Sequence, residues 1–283
     1  MIRNHHTRDA YLRAVRQFLS WASSHESCLD RITPGLVGRY FDQSTGSLPT
    51  KKLSLAAIRT FFDVLVNRHV LILNPAATVR GERYQAVEGK TPEISIEQAR
   101  ALMASIAGDR PANLRDRAII ATLIYTCARD GAVAGLRLRD FQWDGTQYAL
   151  RFMEKGGKER LIPVRHDLQQ ALLAYLNSFD WTRQPADAPF FRSIAGRNGQ
   201  LTSRPIRNVD TCRMVKRRLK DARLPTHLVP HSCRAATITN LLSQGVPLED
   251  VQYLAGHADP RTTRLYDRRQ RQVTRNTVER ISI

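Results

Sequence analysis

Apolar residues in this chain recur mostly at three- and four-residue steps, but between Trp143 and Val164 they shift toward every second position. Tyr148, Leu150 and Phe152 lead into the turn Lys155-Gly156-Gly157-Lys158, and Leu161 and Pro163 lead away from it. Alternation of this kind suits a half-buried strand, and a glycine turn between two such runs predicts a hairpin. The expected fold is therefore mainly α with a small β-sheet.

The helical pattern falls into two blocks. In the first, Tyr11, Leu12, Val15, Phe18, Leu19 and Ala22 form one apolar stripe, with Thr7 as the expected N-cap and Arg8, Arg13 and Arg16 on the polar side. A short helix is expected after Thr33-Pro34 and a longer one from about Pro49 to Asn67, with Asn74-Pro75 ending the pattern. Residues 1–82 thus read as a small, basic helical domain. Residues 83–92 carry no sustained apolar period and read as a linker.

Residues 93–283 form the second block. Thr91 or Ser95 opens its first helix, and another runs from about Leu114 to Cys127. Helices resume near Leu168, near Pro205 and over Ala235–Ser243. Gly245 is the expected cap before Pro247 starts the next one.

Composition narrows the class of partner. Of 283 residues, 42% are apolar and 25% charged, which fits a folded chain and not a disordered one. Forty-four Lys and Arg against 26 Asp and Glu give a net charge of +18, so a polyanion is the expected partner, with nucleic acid ahead of a membrane. No apolar run reaches the roughly 18 residues of a spanning helix, and the N-terminus lacks the apolar core of a secretory signal. Cys28, Cys127, Cys212 and Cys233 are scattered without a C-x-x-C pair, as expected of reduced thiols in the cytoplasm.

The chemistry concentrates in the last fifth. HSCR places His231 and Arg234 three apart, on one side of a helix whose first turn follows Pro230 and favours an anion. GHADPRTTRLY then brings His257 and, on an expected short helix, Tyr266, among Arg261, Arg264, Arg268 and Arg269. A tyrosine hydroxyl titrates near 10, and it serves as a nucleophile where cations and hydrogen-bond donors stabilise the developing charge. A core or interface tyrosine is the plainer alternative. Arg129, after the apolar helix, is either a surface residue or a guanidinium held to grip a phosphate bidentately. Lys155 and Lys158 at the hairpin tip are either a solvated charge run or a lysine acting as general acid over a phosphate. His227 and His231 fit H-x3-H, and Cys233 or His257 could be imagined beside them, but no second Cys or His pair stands at ligand spacing, so neither zinc nor another cofactor is expected. Arg207, Arg213, Lys216 and Arg217 make a basic helix face suited to phosphates, with Lys158 and Arg261 as further DNA contacts.

This order of residues resembles the tyrosine recombinase, or phage integrase, family, and the likeness runs nearly the whole chain. Arg129 sits in a string similar to the family's T-G-x-R. Lys155 resembles the hairpin lysine, and LIPV follows it as the next strand. His231 and Arg234 resemble the H-x-x-R pair, His257 the His or Trp after the glycine, and Tyr266, nine residues on, the nucleophile. The resemblance implies a helical core-binding (SAM-like) domain and an α+β catalytic domain that together clamp double-stranded DNA at inverted repeats. It also implies a 3′-phosphotyrosyl intermediate, a Holliday junction and a homotetramer, without ATP or metal, in a bacterial or mobile-element setting. An accessory factor setting direction belongs to the same picture.

The tail, with Val278, Ile281 and Ile283 at helical spacing, either folds on its own domain or, by the resemblance, docks on a neighbouring protomer. Three departures stand out. Cys127 replaces a common glycine, Ala132 replaces an acidic residue that helps hold the first arginine, and no arm-binding domain is expected ahead of the first helix. A type IB topoisomerase-like strand relaxer and a catalytically silent DNA-binding regulator are the alternatives.

Overall fold

The computed structural model describes residues 2, 4–25, 28–82, 91–153, 157, 159–196 and 199–267. The chain divides into two compact units, Met1–Ala86 and Val87–Ile283. The first holds α1 (His5–Ala22), α2 (Pro34–Gln43) and α3 (Leu48–Asn67). Their apolar stripes meet in a core of Phe18, Val37, Tyr40, Ile58 and Phe62, with Phe18 edge-on to Tyr40 at 5.2 Å between ring centroids. α1 begins earlier than its apolar stripe suggests. Asn4 is its N-cap, its carboxamide oxygen accepting from the Thr7 N–H at 3.2 Å, so Thr7 lies inside the first turn and is not the cap. Thr33 caps α2 as expected, accepting from the Leu36 N–H at 3.2 Å.

The second unit is built around α5 (Pro111–Thr126), which is buried on nearly all sides and follows α4 (Ile96–Ser105). Ser95 opens α4 with a reciprocal capping box to Gln98. After α5 come α6 (Asp130–Ala134) and an antiparallel sheet of β1 (Phe141–Trp143), β2 (Tyr148–Met153) and β3 (Glu159–Pro163), paired in sequence order. The expected hairpin is therefore present, with a third strand added. Its facing differs from the sequence reading, because in β3 Arg160 and Ile162 point inward while Leu161 and Pro163 face out. LIPV offers apolar residues on both phases, and a shift of one position turns every side chain to the other face.

α7 (His166–Leu176) packs on α5, and the buried Tyr175 hydroxyl donates to the Phe190 carbonyl while accepting from the Arg192 N–H. A second hairpin, β4 (Arg192–Ala195) and β5 (Gln200–Pro205), fills a stretch the sequence reading left unassigned, just ahead of the helix expected near Pro205. Its strands are barely buried, so they carry no apolar alternation to read. α8 (Asn208–Asp221) starts three residues later, followed by α9 (Pro230–Ser243), α10 (Leu248–Ala255) and α11 (Pro260–Arg264). Among the described residues no helix is long and apolar enough to cross a membrane.

Gly245 ends α9 at φ +83°, its N–H donating to the Leu242 carbonyl while Val246 donates to Leu241. Nothing lies within 4 Å of where a Cβ would stand, so Gly245→Ala tests backbone strain alone. The variant should lose about 1 kcal/mol, read as a lower urea midpoint with an unchanged m-value.

Candidate active site

Two helix ends converge in the second unit. α5 ends at Thr126, and Cys127 after it takes the left-handed conformation at φ +52°, a strain of about 1–2 kcal/mol for a residue with a Cβ. This turn presents the carbonyls of Thr126 and Cys127. α10 ends at Gly256, φ +63°, where the Gly256 and His257 N–H groups close back on Tyr253 and Gln252. That turn presents the carbonyls of Leu254 and Ala255 and carries His257 inward.

Two buried guanidiniums join these ends. Arg234, in the first turns of α9, donates from Nη1 to the Cys127 carbonyl and from Nη2 to Ala255 at 2.5 Å. Arg160, from β3, donates from Nη1 to Thr126 at 3.2 Å and also to Leu254. The last carbonyls of a helix lack partners within it and carry the negative end of its dipole, so cations belong there. Arg234 is 1% exposed, and its Nε is a buried donor with no acceptor among the described residues. Burial lowers the Arg234 pKa to about 10, with Arg129 acting in the same direction, so it is charged at neutral pH.

Tyr266 stands within electrostatic reach of Arg234. It lies two residues past the end of α11, in a turn and not on the expected helix, because its N–H closes on the Thr263 carbonyl at 3.0 Å. Its hydroxyl is 3.0 Å from His231 Nε2, and its ring stacks on His257 at 5.9 Å between centroids and 12° between planes. Burial raises its pKa, while the positive charges of Arg234 and Arg129 oppose the rise. His231 is exposed at the rim of the site. The dehydration of its inner edge lowers its pKa, Arg234 and Arg129 adding to this and Asp130 partly offsetting it.

His257 is buried, with Nδ1 2.9 Å from the Thr263 hydroxyl. Burial, together with Arg234 and Arg129, pushes its pKa down to about 3, so the ring is neutral. Arg129 is half-buried at the N-cap of α6, within electrostatic reach of both histidines, Arg234 and Tyr266.

Five of the six residues singled out in the sequence thus meet in one place. The sixth, Lys155, lies outside the described residues, as do Lys158 and the tail with Val278, Ile281 and Ile283. Arg207, Arg213, Lys216, Arg217 and Arg261 are exposed. Part of that charge is engaged internally. Arg207 and Arg213 pair with Asp210 at 2.7 and 3.2 Å, and Arg217 pairs with the fully buried Asp116 at 2.7 Å.

Sequence reasoning missed Arg160, Thr263, Asp130 and Thr239. The Thr239 hydroxyl contacts Glu93 Oε1 at 2.7 Å and the Tyr266 carbonyl at 3.1 Å, and so holds the tyrosine turn. Asp130 supplies a negative charge beside His231 that Ala132, two positions on, cannot. Arg160 had one visible signal, a charged residue on the alternation of a strand. Thr263 had none.

Residues 93–272 match the phage integrase family, and residues 2–69 match the N-terminal SAM-like domain of phage integrases. The chain belongs to the phage integrase family of tyrosine recombinases. Tyrosine recombinase XerC of Pelobacter propionicus is 31% identical over 92% of this chain and 84% of its own length. XerD of Halalkalibacterium halodurans is 31% identical over 75% of this chain and 68% of its own. Among solved structures, the XerH site-specific recombinase bound to a palindromic difH substrate, in its post-cleavage complex, superposes with a TM-score of 0.72. It is 19% identical, covering 91% of this chain and 75% of its own. A lambda integrase dimer bound to a COC′ core site gives 0.64 at 16% identity, covering 93% and 88%. These structures share the fold, a mainly helical chain with a small antiparallel sheet.

The depressed His257 pKa fixes a sign for stability. The folded ring stays neutral down to about pH 3, whereas the unfolded imidazole takes a proton near 6.5. The unfolded state therefore binds more protons below pH 6.5, and stability falls as pH drops from 6.5 toward 3. Urea midpoints across that window should fall less steeply for His257→Phe than for the unaltered chain.

Proposed function

We propose that this tyrosine recombinase cuts and rejoins duplex DNA at a specific site through Tyr266. The observation that carries the reading is the phenol hydroxyl 3.0 Å from a neutral His231 and within electrostatic reach of a guanidinium held by helix ends. Tyr266 attacks a scissile phosphorus, His231 Nε2 accepts the phenolic proton, and the bond from phosphorus to the 5′ oxygen breaks. Lys155, assigned by family likeness, gives its proton to that leaving oxygen. Arg129 and Arg234 bind the non-bridging oxygens as their charge grows, with Arg234 Nε offering a donor already stripped of water. His257 donates a further hydrogen bond. The phosphotyrosyl bond conserves the energy of the phosphodiester, so a 5′-hydroxyl from a partner strand can reverse the step without a nucleotide.

Exchange between two duplexes proceeds through a Holliday junction in a homotetramer at inverted repeats. The XerH and lambda integrase complexes, bound to DNA, support a DNA partner for this chain. The exposed cations of α8, chiefly Lys216 and the solvent-facing edges of Arg207, Arg213 and Arg217, with Arg261, fix the protein to phosphates. Lys158 joins them by its place in the sequence. Residues 1–82 form the core-binding domain, 83–92 the linker and 93–283 the catalytic domain, in a protein that works in the cytoplasm on chromosomal or mobile-element DNA.

Covalent capture tests the reading. Mixing the protein with a randomised library of nicked duplexes and recovering denaturant-resistant protein–DNA species should yield a recurring inverted-repeat sequence. Tyr266→Phe should yield none while retaining its circular dichroism. Capture persisting in Tyr266→Phe, or absent from the unaltered protein, sinks the proposal. On a captured duplex, the cleavage rate should fall at acid pH with a midpoint below the ordinary imidazole value of about 6.5, because burial and the charges of Arg234 and Arg129 lower the His231 pKa. His231→Gln should remove that acid limb.

A further inference from the structure

We infer that Thr263 is a positioning residue that sets the tautomer of His257, donating its hydroxyl proton to Nδ1 so that Nε2–H faces the scissile phosphate. The inference rests on the assignment of His257 above and adds the group that orients it.

Thr263 is fully buried in α11, and among the described residues its hydroxyl has one partner, His257 Nδ1 at 2.9 Å. A hydroxyl owns one proton and two lone pairs, and a neutral imidazole owns one N–H and one bare nitrogen. Two arrangements satisfy the contact. If Nδ1 carried the proton, the Thr263 hydroxyl would accept it, and its own proton would be left in a sealed interior with no acceptor. An unsatisfied buried donor costs about 1–3 kcal/mol. If the hydroxyl donates instead, the unshared proton sits on Nε2, which is not among the sealed, partnerless polar atoms of the described residues and so can donate to water or to a phosphate. The second arrangement is therefore favoured, and it leaves Nε2 protonated. Nε2 makes no hydrogen bond to any described residue.

The ring cannot evade this choice by taking a second proton. Burial, with the charges of Arg234 and Arg129, keeps it neutral, so it has one N–H and Thr263 decides which nitrogen bears it. Its plane is fixed as well, stacked on Tyr266 at 12°. The backbone of His257 is anchored through its N–H to Gln252, and its carbonyl accepts from the Gln252 carboxamide at 3.0 Å. Backbone, ring plane and tautomer are thus each held by a different contact.

Long-range proton–nitrogen NMR on the full-length protein reads the tautomer without DNA, the His257 signals being those lost in His257→Phe. The expected result is a bare Nδ1 and a protonated Nε2, shifting toward a mixture in Thr263→Val, which keeps the shape and removes the hydroxyl. Thr263→Ser should restore the native pattern. A protonated Nδ1 in the unaltered protein overturns the inference, whatever the variants do.

On a duplex recovered by covalent capture, Thr263→Val should slow cleavage about 10–100-fold with unchanged affinity for that duplex. Thr263→Ser should recover most of the rate. In a His257→Phe background, Thr263→Val should add nothing further, since both act through one group. An additive loss there means that Thr263 acts by another route and refutes the inference. A His257→Phe protein that cleaves at full rate would instead defeat the assignment of His257, leaving the tautomer measurement to stand by itself.

Discussion

Two arginines bridging the same pair of helix ends hold this site together. Arg234 spans the carbonyls of Cys127 and Ala255, and Arg160 spans those of Thr126 and Leu254, so α5 and α10 are stapled twice by adjacent residues. Removing a guanidinium from water costs several kcal/mol, and each charge-assisted hydrogen bond returns about 1.5–3. The planar fork of arginine reaches two carbonyls at once, which a lysine ammonium on its flexible stem does less well. His257 follows one stapled carbonyl by two residues, and Arg129 follows the other by two. The geometry of the site is therefore set by the same bonds that hold the helices.

Electrostatics follow from that arrangement. Burial suppresses protonation of His257, and three cations, Arg129, Arg160 and Arg234, add to it. Arg129 and Arg234 do the same to His231. Neutral histidines suit a site that must remove one proton from a phenol and donate one hydrogen bond to a phosphate. The same cations counter the rise that burial imposes on Tyr266. A dianionic transition state would relieve the mutual repulsion of the arginines, so the free site is poised for an anion.

Much of this was legible in the sequence, for identifiable reasons. Helix α1 betrayed itself by the stripe from Tyr11 to Ala22, although its start did not, because Asn4 caps from outside the stripe. The hairpin showed through Tyr148, Leu150 and Phe152, although β3 was read on the wrong face. The residues Arg129, His231, Arg234, His257 and Tyr266 were visible as rare chemical types at telling intervals, and all five converge. The hairpin β4–β5 was invisible because it buries too little to impose a period. Arg160 was overlooked because its strand was read on the opposite phase, and Thr263 because a threonine in a sequence carries no mark of burial.

Local sequence determined what lies close along the chain: helix stripes, glycine stops at Gly245 and Gly256, the spacing of His231 to Arg234, and the net charge that calls for a polyanion. Those properties depend on neighbours within a few residues, so the linear order contains them. Only the tertiary structure decided that β3 turns Arg160 inward, that Tyr266 sits beyond its helix against His231, and that Thr263 reaches His257. The partners in these contacts lie between six and 94 residues apart along the chain. Most are made by helix ends, whose unpaired carbonyls exert their pull only once packing has brought them together.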